Sequence, residues 1–284
     1  MPLVTSKKML EDAQKVGYAV GAFNAENMEM VMAIIDAAVE LRAPVMIQTT
    51  PSTVKYAGLD MYLANVKTLA ERASVPVAMH LDHGSSFELA VSALHTGYTS
   101  VMIDGSQLPF EENIALTRSV VQVANCVGIP VEGELGTVGG KEDDLEASAG
   151  CTLPNEAADF AERTGVSSLA VAIGTAHGVY KTTPKLDIER LKEIRKVVSI
   201  PLVLHGASGL SDESIRACVK EGICKVNFAT ELRIAYTEGV KQTIRLTEDV
   251  YDPKKYGKAA IEKVKEIVKN RIMVCGCDGK ADVK

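Results

Sequence analysis

Eight times along the chain, a short run of apolar and β-branched residues is followed by a longer segment with apolar residues three and four apart. Strands are predicted at 18–23, 44–48, 77–81, 100–103, 130–135, 168–172, 201–204 and 225–226. Helical spacing is predicted over 28–41, 59–73, 87–95, 111–127, 155–163, 187–197, 212–221 and 231–243. Several strands open on proline, which a strand tolerates at its first residue. Eight such units in 284 residues fit a (β/α)8 TIM barrel. A helix after Ser6 and another around 259–268 are additional terminal helices, placed to close the barrel floor or to carry a subunit contact. An open doubly wound sheet also alternates strand and helix, but Ala19-Val20-Gly21-Ala22-Phe23-Asn24 lacks its glycine fingerprint.

With 46% hydrophobic and 24% charged residues and no linker, residues 1–284 read as one domain with a large core. The net charge of −6 disfavours nucleic acid or an anionic membrane as the main partner. Six cysteines without a Cys-x-x-Cys pair, and a start lacking an apolar signal region, point to a cytoplasmic address. No histidine lies near Cys275-Gly276-Cys277, so these are expected to be solvated tail thiols.

Polar residues gather after the strands. His83, His177 and His205 each follow a different one, and three imidazoles with an open position suggest catalytic zinc. His80 has the opposite parity to His83 and is expected to be packed or to support a ligand. Glycine lets backbone approach an anion, so Gly178, Gly206, Ala207 and Ser208 can offer N–H groups to a phosphate. The loop Asn227-Phe228-Ala229-Thr230 follows strand eight, where barrels often complete such a site; Thr230 also suits an N-cap. In Gly139-Gly140-Lys141-Glu142-Asp143-Asp144, Glu142 reads equally as a mobile base or a solvated charge, while Asp143 and Asp144 read as solvated. Glu134, at a strand end, can reach the metal or a second cation.

Taken in order, His80-Leu81-Asp82-His83-Gly84, Glu134-Leu135-Gly136, Gly139-Gly140-Lys141-Glu142-Asp143, His177-Gly178-Val179-Tyr180 and His205-Gly206-Ala207-Ser208 resemble the zinc-dependent class II ketose-bisphosphate aldolases. The resemblance runs from about Thr5 to the last helix. It implies Zn2+ on His83, His177 and His205, with Asp82 as acid/base and Glu142 moving a carbon-bound proton. Asp104 and Glu134 match an alternative metal position. Gly178, Lys181, Gly206, Ala207, Ser208, Asn227, Ala229 and Thr230 match positions that hold the triose phosphate. Gly178 and Lys181 also match a loop that helps bind a monovalent cation, Na+ or K+. Lys258 stands where relatives place an arginine for the distal phosphate, and lysine is a point charge where arginine is a fork, which leaves open a broader-specificity sugar-phosphate aldolase of the same family.

The implied reaction is reversible cleavage of a ketohexose 1,6-bisphosphate to dihydroxyacetone phosphate and glyceraldehyde 3-phosphate. The segments 170–177 and 227–232, with Ala229 where fructose enzymes tend to be polar, favour tagatose 1,6-bisphosphate. Segments 82–88 and 134–140 look like the fructose branch. The two sugars differ only at C4. The resemblance and the terminal helices also imply a homo-oligomer, dimer or tetramer, and leave open an accessory subunit. Two other readings are a Schiff-base aldolase through Lys225 and a non-catalytic phosphosugar-binding subunit.

Overall fold

Parallel strands β1 (Val20–Asn24), β2 (Val45–Thr49), β3 (Val77–Gly84), β4 (Ser100–Ile103), β5 (Val131–Leu135), β6 (Ser168–Val171), β7 (Leu202–Leu204) and β8 (Ile223–Phe228) pair in sequence, and β8 closes on β1. This computed structural model describes residues 3–142, 145–147, 150–180, 184–247 and 249–282, with the backbone path alone at 141, 142 and 145–147. Asp143, Asp144, Lys181 and the side chain of Glu142 therefore lie outside the described residues.

The outer ring comprises α2 (Met28–Glu40), α3 (Pro51–Ala57), α4 (Leu59–Arg72), α5 (Phe87–Thr96), α6 (Phe110–Val127), α7 (Pro154–Thr164), α8 (Ile188–Val197), α9 (Asp212–Lys220) and α10 (Thr230–Leu246). Side chains of Asn27, Ser86, Asp187 and Ser211 accept amide hydrogen bonds at the starts of α2, α5, α8 and α9, so local sequence sets where the helices begin. With helices outside and side chains stacked inside, β1, β2, β5 and β8 are buried along their whole length. The architecture is a (β/α)8 TIM barrel.

The period of two along each strand sorts the interior into layers. His80, Glu132 and Lys225 form a lower layer, joined by contacts of Lys225 Nζ to Glu132 Oε2 at 2.9 Å and to His80 Nε2 at 3.5 Å. Two residues further along the same strands, Asp82, Glu134 and Asn227 form an upper one, with Asn24 and Gln48 hydrogen-bonded to Asp82.

Helix α1 (Ser6–Val16) lies at the floor, where Ser6 Oγ donates to Ser100 Oγ at 2.8 Å. The last helix, α11 (Pro253–Val274), is longer than its periodicity suggested, and the tail beyond it folds back under the barrel. The Cys275 carbonyl accepts from Ala19 N at 3.0 Å, and Gly279 N donates to the Leu41 carbonyl at 2.8 Å. Cys275 and Cys277 are consequently buried in the core, not solvated as expected, and burial pushes the Cys277 thiol up to about 12. Outside the barrel, Gly139–Glu142, Leu145–Ala147 and Ala176–His177 form a small three-stranded sheet that strand–helix periodicity does not announce. Among the described residues, no helix is long and apolar enough to cross a membrane.

Candidate active site

Strict alternation along β3 would turn His83 away from Asp82. The pairing of β3 with β4 shifts register between Leu81 and Gly84, and His83 adopts φ 48°, a left-handed conformation that costs a non-glycine residue energy. The result brings its ring to the barrel mouth, edge-on to His177 and His205, with centroids 5.0 and 4.7 Å away. His205 Nδ1 stands 3.0 Å from His83 Nε2, and the ligand atoms of His83, His177 and His205 lie within 4.8 Å of one another.

The other ring nitrogen of His83 faces a second group. Its Nδ1 is 2.7 Å from Asp104 Oδ2 and 3.8 Å from Glu134 Oε2. Glu134 Oε2 is buried without a hydrogen bond among the described residues, though it lies 3.2 Å from His205 Nδ1. Convergent imidazole nitrogens beside an orphaned carboxylate oxygen form a donor set that suits a divalent cation, with His83 common to both groups.

Charge in the site follows from these contacts. Burial alone would raise Asp82, but the His83 and His205 rings and the Lys225 ammonium hold its carboxyl below the usual range. Burial works against protonating His205, yet the Glu132 carboxylate, which accepts from its Nε2, and the nearby Glu134 carboxylate bring it up to about 9. Burial and the neighbouring His83 and His205 push His177 well below the ordinary value. His80 is driven down to about 3 by burial and Lys225. It is packed, with Nδ1 2.7 Å from Ser100 Oγ, and stands apart from both ligand groups.

Asp82 is held by three amides that sequence reading did not single out for this task. Asn24 Nδ2 and Gln48 Nε2 donate to Oδ2 at 3.0 and 3.1 Å, and Asn227 Nδ2 donates to Oδ1 at 3.0 Å. The signal for the first two was a polar residue at or near the end of an apolar strand, Asn24 on β1 and Gln48 on β2. The amide oxygens Gln48 Oε1 and Asn227 Oδ1 are buried without partners among the described residues, and of the two residues Asn227 lines the cavity. Tyr180 was also missed. Its hydroxyl accepts from Ala176 N at 2.8 Å and donates to the Gly206 carbonyl at 2.7 Å, tying together the segments that carry His177 and His205.

An open cavity lies beside the histidines, walled in part by Asp82, Gly178, Gly206, Ser208, Ala229 and Thr230. Ser208 Oγ accepts from Ala229 N at 3.1 Å, joining the loops after β7 and β8. Not every expected contact lines it. Phe228 turns into the core, stacked on Phe23 at 5.4 Å and beneath Arg271, and Ala207 is fully buried, so any contact of theirs with ligand falls to the backbone. Lys258 is exposed on α11 outside the cavity wall.

Gly206 has φ 66°, and a Cβ there would stand 2.7 Å from the Ala176 carbonyl oxygen. Gly206→Ala is expected to destabilise the protein by about 1–3 kcal/mol, read as a lower midpoint of thermal or denaturant unfolding. An unchanged midpoint would mean the two loops are not packed this closely.

The family model for class-II fructose-bisphosphate aldolase matches residues 4–280. The chain belongs to the class II fructose-bisphosphate aldolase family. Family members are metal-dependent lyases that cleave sugar bisphosphates by aldol chemistry. Among solved structures, the YdjI aldolase from Escherichia coli K12 is similar at 38% identity and TM-score 0.88, covering 99% of this chain and 100% of that one. A Coccidioides immitis protein assigned as a fructose-1,6-bisphosphate aldolase is 30% identical with TM-score 0.90, covering 98% of both chains. The fold is also shared with the Campylobacter jejuni fructose-bisphosphate aldolase, at 24% identity and TM-score 0.84, covering 98% of this chain and 97% of that one. For this class II aldolase, the His83, His177 and His205 group and the adjoining cavity are the candidate active site.

Proposed function

We propose that the protein is a zinc-dependent aldolase that cleaves tagatose 1,6-bisphosphate in preference to fructose 1,6-bisphosphate, giving dihydroxyacetone phosphate and glyceraldehyde 3-phosphate. The convergence of His83, His177 and His205 beside Asp82 at the cavity wall carries this reading. Three imidazoles leave an open position of the kind catalytic zinc uses, and Asp104 with Glu134 would serve the alternative position around His83. Bound there, the ion supplies a Lewis acid that polarises the substrate carbonyl.

The chain's own groups supply the proton transfers. Asp82, kept ionised and aimed by Asn24, Gln48 and Asn227, accepts the C4 hydroxyl proton in cleavage and returns it in condensation. Glu142 moves the proton on the dihydroxyacetone carbon. The backbone register supports that role, because Gly140 pairs with His177 and so ties the arm bearing Glu142 to the histidine group. Gly178, Gly206, Ser208, Ala229 and Thr230 share the cavity and hold the triose phosphate, with Thr230 at the start of α10, where free amide groups favour an anion. Asn227, the backbones of Ala207 and Phe228, and Lys181 complete this set. Na+ or K+ beside Gly178 and Lys181 belongs to the same proposal, as do a single domain over 1–284 and assembly into a homo-oligomer.

Ala229 supports the tagatose preference through the resemblance given above. A Schiff-base route is not supported, since Lys225 Nζ is ion-paired 2.9 Å from Glu132 in the layer below the cavity and a neutral amine would be needed. The test is cleavage of both sugar bisphosphates by purified zinc-loaded protein, with kcat/KM expected to favour tagatose about tenfold or more. An equal or reversed ratio removes the sugar preference, and cleavage of neither removes the bisphosphate aldolase reading.

A further inference from the structure

We infer that Glu132, backed by Lys225, is a positioning residue that fixes which nitrogen His205 turns to the metal. The inference rests on the zinc reading above and concerns two side chains that do not line the cavity. His205 is fully buried. Its Nε2 lies 2.9 Å from Glu132 Oε1, while Nδ1 faces His83 Nε2 at 3.0 Å and Glu134 Oε2 at 3.2 Å, the atoms that share the metal position. A carboxylate accepts only, so the Nε2 contact requires an N–H at that nitrogen; with the proton there, a neutral ring has its lone pair on Nδ1, the nitrogen turned to the histidine group.

Lys225 makes a buried carboxylate tolerable and holds it in place beneath the ring. Its Nζ donates to both oxygens of Glu132, at 3.1 and 2.9 Å, and both side chains are buried. Below them, His80 completes the layer through Ser100 to Ser6 at the floor. Apolar side chains could fill a barrel layer at lower desolvation cost, so a buried ion pair directly beneath one of the three imidazoles calls for a role that packing does not supply.

Glu132→Gln conserves shape and reverses the logic. With Lys225 still donating to the amide oxygen, the amide nitrogen must turn its N–H groups toward His205, favouring the tautomer with the proton on Nδ1. Zinc affinity, measured by competition with a chromophoric chelator, is expected to fall about 10- to 100-fold, and the visible spectrum of the cobalt-substituted variant should differ from that of the parent. A folded Glu132→Gln protein with zinc affinity within about twofold of the parent and the same cobalt spectrum would overturn the inference.

Should that variant not fold, 15N NMR of the zinc-loaded parent with labelled histidine decides the matter. Support requires His205 to carry its proton on Nε2 with Nδ1 on the metal; the opposite tautomer overturns it. Failure of the zinc reading shows separately. If the parent does not bind zinc, or His177→Ala binds it unchanged, both readings fall, whereas zinc held through His177 and indifferent to Glu132→Gln defeats this one alone.

Discussion

Replacing His177 with alanine is expected to strip the protein of stoichiometric zinc and to lower kcat/KM for bisphosphate cleavage by about a thousandfold or more. His177 is the informative histidine to remove. It sits on the two-residue strand Ala176–His177 outside the barrel and is only partly buried, so its loss should spare the fold. His205, by contrast, is fully buried and bonded to Glu132, and its removal would confound ligand loss with a core defect. Electrostatic stabilisation by a bound cation contributes several kcal/mol to such a reaction, and each ~1.4 kcal/mol is a factor of ten in rate. Metal analysis after gel filtration, with cleavage followed through a coupled triose-phosphate assay, measures both effects. A variant that keeps one zinc per chain and cleaves within tenfold of the parent would remove His177 from the site.

The alternation of strand and helix was legible because each element buries a face whose spacing is written in the sequence. Predicted 100–103 agrees with β4, and 77–81 falls short of β3 only because Asp82, His83 and Gly84 extend a strand in polar residues. What periodicity does not carry is what depends on partners distant in the chain. Helix α3 has too few turns for an apolar stripe, and the small sheet built on 139–142 exists because Gly140 meets His177, a contact so close that a Cβ would stand 2.3 Å from the His177 carbonyl oxygen. Cys275 and Cys277 read as a tail because burial there is supplied by Tyr18 and Ala19 at the other end of the chain.

The histidines could be named because few residue types perform such chemistry at strand ends, and glycines beside them marked loops. Glu132 carried no such mark, and Lys225 was marked only as a candidate Schiff-base lysine. Each reads as a lone charge in an apolar run, and only barrel closure places one opposite the other. Phe228 shows the converse limit: it stands inside a motif of ligand-facing residues, but alternation along β8 sends its ring to the core while Asn227 faces the cavity.

Asp82→Ala is expected to leave zinc content unchanged while lowering cleavage about 10²- to 10⁴-fold, the usual scale for losing a positioned acid/base group. Metal should persist because Asp82 belongs to neither ligand group. The fold should persist because Asn24 and Asn227, which lose their acceptor, line an open cavity where water can replace the carboxylate, and the Gln48 amide keeps its hydrogen bond to Asn24 Oδ1 at 2.8 Å. The defect should also be selective. Exchange of the dihydroxyacetone phosphate proton with solvent needs no transfer at C4 and should survive in Asp82→Ala, whereas Glu142→Ala should slow it. Deuterium wash-in followed by NMR, run beside the cleavage assay, separates the two carboxylates. Near-normal cleavage by zinc-loaded Asp82→Ala would take Asp82 out of the chemistry, and loss of zinc from that variant would make it a structural support for the histidine group instead.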